Sequence, residues 1–411
     1  MFIEKIGRYY CHIFHSGTVC VLKQSIFIIY GCQKFWISAM AVRMRRWCAY
    51  PQADWLAGWG QCEASPLTSI AAWISPLSHS ACKPVSASVL GQSIESADDI
   101  VRIGHQVRLA SLDLLQAEHT LSGIDIALWD LLGKKRSLPV YQLLGYKKYF
   151  PKQPYASVLF GATPDETLSK AKASRKAGFR AGKFGWGTYG RSSAAADRDQ
   201  VMAAREGLGP EGILLIDAGT IWNEDVELAS QRIDALRGAR VTWIEEPFHT
   251  GALHAYAALA SRCAPVRVAG GEGSHNAHMA RHLIDHGGVG FIQIDTGRIG
   301  GITPAKWVAD YAQAKGVTYV NHTFTSHLSL CASLQPYIGI ESDTICEYPI
   351  ESKALSAHLT HERLLPGVDG LIRVPESPGL GMTPDTKIIH QYVVDAEIIV
   401  GGEFFYRTPV C

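Results

Sequence analysis

The chain has 411 residues, enough for a barrel of roughly 250 residues plus a second domain. Its formal net charge of +1 offers no basic field for nucleic acid, and a hydrophobic content of 47% is that of an ordinary globular protein. Ten cysteines without a Cys-x-x-Cys pair fit reduced thiols in a cytoplasm better than a disulfide framework.

Residues 1–56 are rich in Tyr, Trp, Cys and Arg, with a small basic cluster at Arg43, Arg45 and Arg46. Neither helical nor strand periodicity persists there, so a poorly ordered or misassigned N-terminus is expected. The apolar stretch Ser25 to Val42 contains Gly31 and is broken by Gln33-Lys34. A membrane helix wants about 20 uninterrupted apolar residues. No small-residue cleavage site follows it either. A soluble, cytoplasmic protein is the expectation, with a membrane-associated N-terminus as the lesser alternative.

Residues 57–150 read as an α+β domain. After Gly58-Trp59-Gly60, the segment Ser96 to Ala117 is amphipathic, with Ile100, Val101, Ile103, Val107 and Leu109 near helical spacing. Ser122 to Gly133 reads as a second helix with Gly133 as its cap. A short helix follows Pro139, from Val140 to Leu144.

From Pro154-Tyr155-Ala156-Ser157-Val158 onward, apolar segments recur and end in polar residues: Lys183, Asp217, Glu245, Glu272, Asp295, His322 and Glu347. The intervals of 23 to 34 residues leave room for one helix and two turns. That cadence predicts a (β/α)₈ TIM-type barrel over residues 151–370, with chemistry at the C-terminal ends of the strands. Alternation puts Leu215 with Asp217, Trp243 with Glu245, and Gln293 with Asp295 on common faces. Residues 371–411 open Pro/Gly-rich, and Tyr392 to Val400 reads as a strand returning to complete the first domain.

Asp217, Glu245 and Glu272 come from three successive strands. Three carboxylates at one mouth need a cation among them or raised pKa values. An all-oxygen set suits Mg²⁺, one ion per subunit, whereas zinc would ask for His or Cys. Asp295 and His322 close neighbouring strands, where a carboxylate can orient an imidazole as a general base. Glu347 can hydrogen-bond a substrate oxyanion or partner His322. Trp73, Trp186, Trp222 and His275 are candidates for lining the site, with flat apolar ring faces and ring N–H groups to offer a ligand.

The ordered motifs Gly182-Lys183-Phe184-Gly185, Leu215-Ile216-Asp217-Ala218-Gly219, Trp243-Ile244-Glu245-Glu246-Pro247, Gly270-Gly271-Glu272, Gln293-Ile294-Asp295 with Gly300-Gly301, Asn321-His322 and Glu347-Tyr348-Pro349 resemble the enolase superfamily. Within it the likeness is to the mandelate racemase subgroup, which includes the muconate lactonizing enzymes. The resemblance implies Mg²⁺ on Asp217, Glu245 and Glu272, a His322–Asp295 dyad, and an α+β capping domain over the barrel. It also implies a small-molecule sugar-acid substrate, homo-oligomers, and abstraction of the proton α to a carboxylate. A Lys or His base beside Mg²⁺ is the general pattern of that superfamily.

One departure bears on the reaction. The subgroup's Lys-x-Lys is here Lys183-x-Gly185, so the second base is missing and Lys183 keeps the role of electrostatic support. A single His fits dehydration of an aldonate or aldarate to a 2-keto-3-deoxy acid, a hydro-lyase reaction. The alternatives are a lactone cycloisomerase or a racemase/epimerase of the same superfamily, and a non-catalytic metal-binding protein. Gly185 could also open space for a cyclic substrate.

Overall fold

A computed structural model describes residues 21–32, 35–45, 55–63, 66–79, 82–113, 117–350 and 354–408. Eight strands form one parallel sheet: β4 (Gln153–Leu159), β5 (Ala181–Gly185), β6 (Ile213–Asp217), β7 (Val241–Glu245), β8 (Arg267–Gly270), β9 (Phe291–Ile294), β10 (Thr318–Asn321) and β11 (Ile345–Pro349). Their spatial order is β10-β9-β8-β7-β6-β5-β4-β11, the sequential order of a TIM-type barrel. The seam between β10 and β11 is bridged by a side chain. Asn321 Oδ1 accepts from the Glu347 N–H at 2.9 Å, and Asn321 Nδ2 donates to Ser333 Oγ at 3.1 Å.

The barrel interior is filled by Tyr155, Ala181, Leu215, Trp243, Ala269, Val320 and Ile345. Two of these seven are alanines, which leaves room for the indole of Trp243 and the Tyr155 ring, 5.7 Å apart and edge-on. Leu215 and Trp243 each precede a mouth residue by two positions, so the packed layer lies directly beneath the acids.

The N-terminal domain contains a three-stranded antiparallel sheet, β1 (Val21–Cys32), β2 (Phe35–Arg45) and β3 (Trp55–Cys62), in that order. The two first strands correct the expectation of no regular element before residue 57. Runs such as Ile26-Phe27-Ile28-Ile29 lack the alternation by which a strand was sought. Residues 1–20 and 46–54, where a misassigned start was suspected, lie outside the described residues.

Helix Ala117–Arg136 packs on β3 at backbone distance. A Cβ on Gly58 would stand 2.1 Å from the Ala127 carbonyl oxygen, and one on Gly60 would stand 2.0 Å from that of Gly123. The glycines of Gly58-Trp59-Gly60 are therefore packing residues. Buried Asp130 of the same helix accepts from the Trp59 and Leu380 N–H groups, both at 2.8 Å, tying β3 to the C-terminal tail. Gly133 is interior to this helix and not its cap: a Cβ there would meet Gly379 Cα at 2.6 Å. In helix Ala97–Ala110, Ile100, Ile103 and Val107 are buried, while Val101 and Leu109 face out. The tail does return to the N-terminal domain, but as helix Thr386–Tyr392, whose Ile389 joins Leu355, Leu359 and Trp59. The strand foreseen there is β12 (Glu397–Val400), and it pairs with β13 (Glu403–Arg407) instead of the first sheet.

Gly60→Ala is expected to destabilise the protein by about 1–3 kcal/mol through overpacking. Urea unfolding followed by tryptophan fluorescence checks it, and an unchanged midpoint would remove the packing role.

Candidate active site

The C-terminal ends of the strands bring all seven expected mouth residues together. Lys183, Asp217 and Glu245 lie on β5, β6 and β7. Glu272, Asp295 and His322 sit one or two residues beyond β8, β9 and β10, and Glu347 is the middle residue of β11. All but Glu272, which is half-buried, are buried.

Lys183 organises one half. Its Nζ lies 2.6 Å from Glu245 Oε1, 2.8 Å from Glu347 Oε1 and 3.6 Å from Asp217 Oδ2. An ammonium has three N–H donors, and three carboxylates surround it. Burial works against its charge, but Glu245 and Glu347 override that and hold its pKa well above the usual lysine range. Glu245 also accepts from Trp243 Nε1 at 3.1 Å.

His322 organises the other half. Its Nδ1 is 2.7 Å from Asp295 Oδ2, and its Nε2 is 2.7 Å from Glu272 Oε2 and 3.9 Å from Glu347 Oε2. Burial alone would lower the imidazole pKa; the Glu272 and Glu347 charges and the bond to Asp295 instead raise it well above the ordinary value. Despite its burial, Asp295 is drawn down to about 2 by the hydrogen bond and charge of His322.

Backbone N–H groups aim the acids. Gly219 donates to Asp217 Oδ1 at 2.8 Å, Gly297 to Asp295 Oδ1 at 2.7 Å, and Thr323 to Glu347 Oε2 at 2.7 Å. Gly271 donates to Glu246 Oε1 at 2.9 Å, which braces the turn that carries Glu272.

The donor set fits a hard divalent cation. Asp217, Glu245 and Glu272 offer carboxylate oxygens only, the chemistry Mg²⁺ prefers. Burial, despite the pull of Lys183, pushes Asp217 up to about 6 and Glu245 up to about 8, and neighbouring carboxylates add to the rise. Lys183 offsets their charge only in part. Among the described residues, the group of three whose ligand atoms lie within 4.8 Å of one another is Glu63, Asp295 and His322, not the expected trio. There Arg298 already supplies the positive charge, 2.8 Å from Glu63 Oε2, and Asp295 engages His322 Nδ1.

Position 185 is closed. A Cβ on Gly185 would lie 2.5 Å from Asp217 Cβ and 3.0 Å from its Oδ2. Gly185 and Asp217 are register partners across β5 and β6. The missing side chain thus opens no space for a cyclic substrate, because the first acid occupies it.

Of the four residues expected to line the site, two do not. Trp73 and Trp222 are buried at 6% and 2% exposure. Trp73 belongs to the core, and Trp222 packs edge-on to Tyr189 with the Arg232 guanidinium 5.4 Å above its ring. Trp186 is 48% exposed and lies against Gly219, next to the mouth. His275 is exposed and edge-on to His119, their ring centroids 4.8 Å apart. Phe324, 43% exposed and edge-on to His322 at 5.6 Å, was not foreseen. Glu63, Glu246 and Arg298 were also missed. Arg298, three residues past Asp295 and before Gly300-Gly301, carried a signal that could have been read.

Residues 166–388 match the enolase C-terminal domain-like family, and residues 53–145 match the mandelate racemase / muconate lactonizing enzyme N-terminal domain. The D-galactarolactone cycloisomerase of Agrobacterium fabrum is 29% identical over 80% of this chain and 86% of its own length. The L-talarate/galactarate dehydratase of Salmonella typhimurium is 29% identical over 62% of this chain and 64% of its own. A solved structure from Rhodobacter sphaeroides, described as a predicted mandelate racemase, is 53% identical, covers 95% of this chain and 100% of that one, and superposes with a TM-score of 0.88.

Lys183→Met leaves buried carboxylates without their cation, and is expected to cost the metal-free protein about 3–5 kcal/mol at pH 8. Acids whose folded pKa is raised oppose folding most above that pKa, and the burden lifts as they take up protons. With Glu245 at about 8 and Asp217 at about 6, the loss should shrink as pH falls from 8 to 6. Denaturant titrations at both pH values check it; a pH-independent loss would contradict the charge argument.

Proposed function

For a chain that belongs to the enolase superfamily, within its mandelate racemase subgroup, we propose the dehydration of an acid sugar, an aldonate or aldarate, to a 2-keto-3-deoxy acid. The observation that carries this is a single imidazole, His322, fixed by Asp295 at 2.7 Å with its Nε2 turned toward the acids, while position 185 has no room for a second base.

Asp217, Glu245 and Glu272 would hold one Mg²⁺. Bound there, it supplies positive charge to the substrate carboxylate and acidifies the α-carbon. Glu272, once it ligates a cation, no longer competes for Nε2. His322 is then free to take the α-proton, with Asp295 holding the other ring nitrogen and favouring the resulting imidazolium. The same imidazolium returns the proton to the β-hydroxyl as the C–O bond breaks. Water leaves, and the enol product tautomerises to the 2-keto acid.

Lys183 is a poor candidate for a base on the opposite face. Its ammonium already donates to Glu245 and lies 2.8 Å from Glu347, with Asp217 at 3.6 Å. Its role is electrostatic support, and Glu347, held by Lys183 and the Thr323 N–H, can bond a developing oxyanion when protonated. Trp186 and Phe324 offer aromatic faces to a sugar chain.

Cycloisomerisation is the second reading. It uses the same α-proton but expels a ring oxygen, and relatives named as cycloisomerases favour it, from Agrobacterium fabrum and from Streptomyces coelicolor.

Purified protein with Mg²⁺ should release 2-keto product from at least one member of a panel of aldonates, aldarates and their lactones. His322→Asn is expected to lower kcat by about 10²–10⁴-fold, and EDTA to abolish turnover reversibly. Ring opening without loss of water would select the cycloisomerase, and the absence of α-deuterium exchange with every acid tested would refute both. Gly185→Lys, which restores Lys-x-Lys, is expected to displace Asp217 and weaken Mg²⁺ binding roughly tenfold or more, without adding racemisation. Epimer formation by that variant, read by chiral chromatography, would overturn the one-base reading.

A further inference from the structure

The charge network of the mouth continues into the N-terminal domain. Glu63 is the first residue after β3, and its N–H donates to the Gly297 carbonyl oxygen at 3.1 Å. Its Oε2 accepts from Arg298 Nε at 2.8 Å. Beside it, Gln61 at the end of β3 takes a hydrogen bond from Ser326 of the loop after β10. The edge of the first sheet is thus latched to two barrel loops.

Arg298 is shared among three acids. Beyond Glu63, the same guanidinium lies 3.9 Å from Asp295 Oδ2 and 3.5 Å from Glu272 Oε1, and sits 5.9 Å over the Phe324 ring. The contact with Glu272 is at the limit of a hydrogen bond. A guanidinium is a rigid fork, and its strongest contact is a bidentate pair with one carboxylate. Glu63, by holding Nε, keeps that fork from turning fully onto Glu272.

We infer that Glu63 is a positioning residue of the barrel's metal centre: by holding Arg298 it keeps the guanidinium from pairing fully with Glu272, whose other oxygen faces His322 Nε2 at 2.7 Å and would turn to the cation. The inference rests on the assignment of Glu272 as a metal ligand. It makes the N-terminal domain, through one side chain, a determinant of metal affinity as well as a cover for substrate. Burial and the Asp295 charge push the Glu63 carboxyl well above its usual range, against the pull of Arg298. Protonated or not, it keeps an oxygen to accept from Arg298, and so would a glutamine.

Mn²⁺ binding to the metal-free, full-length protein, measured by calorimetry without substrate, is the test. Glu63→Leu is expected to raise Kd roughly tenfold or more, as loss of an outer partner of a metal ligand does. Glu63→Gln should stay within about threefold of the original. Arg298→Met in the Glu63→Leu background should recover most of the lost affinity, because it removes the competing cation. A role confined to fold stability predicts no such recovery. Should Glu63→Leu fail to fold, Arg298→Met alone still decides: binding as tight as in the original chain is expected, and a tenfold loss overturns the inference. Unchanged binding by folded Glu63→Leu overturns it too, with the metal assignment intact. No Mn²⁺ binding by the original chain overturns the assignment itself and this inference with it.

Discussion

Too many buried carboxylates for the cations among them is the constraint on which this mouth depends. Asp217, Glu245, Glu272, Asp295 and Glu347 converge on Lys183, His322 and Arg298. Charges taken out of water must be paired or must shift their pKa values, and both happen here. The pKa values of Lys183 and His322 are raised by their neighbours, Asp295 is drawn down to about 2, and Glu245 is pushed up to about 8. A site with this imbalance invites a small, hard cation.

Like charges stay together because each arrives on a different strand of a barrel whose interior is already packed. Tyr155, Leu215 and Trp243 fill the layer below, so the acids cannot sink into the core. Nor can they swing apart freely, since Asp217, Asp295 and Glu347 each accept from a backbone N–H, in the first two cases one set in a turn. Asp217 and Asp295 bond the N–H two residues on, the local turn habit of aspartate. Repulsion at the mouth is offset by burial elsewhere, the usual relation between a strained site and its scaffold.

What could be read from the sequence follows from how local each signal is. The strand-end residues announce themselves because an apolar run ends at a polar group and the unit repeats; every one from Lys183 to Glu347 reaches the mouth. The Glu63–Arg298 contact spans 235 positions and leaves no local trace at Glu63. The tryptophans were ambiguous for another reason. An indole serves a core as well as a sugar face, and burial of Trp73 and Trp222 is a tertiary outcome. Gly133 resembled a cap because glycine ends helices; it is there because Gly379 approaches the helix backbone. The first two strands were hidden by the reverse problem, a run too uniformly apolar to alternate.

Gly185 connects these threads. From sequence it is a lost base; in the fold it is the space in which Asp217 stands. The two residues are register partners on adjacent strands, and the Cβ that any other residue would bring lies 2.5 Å from the Cβ of Asp217. With Asp217 where it stands, a side chain at position 185 would require that acid to shift. Lys183, two residues earlier on the same face of β5, is a poor replacement, because Glu245, Glu347 and Asp217 surround its ammonium. On the proposed reading, proton transfer falls to the opposite wall, where His322 stands between Asp295 and Glu272. The proposed dehydration asks for this arrangement: one group removes a proton and later gives it back, and none passes it from one face of the substrate to the other.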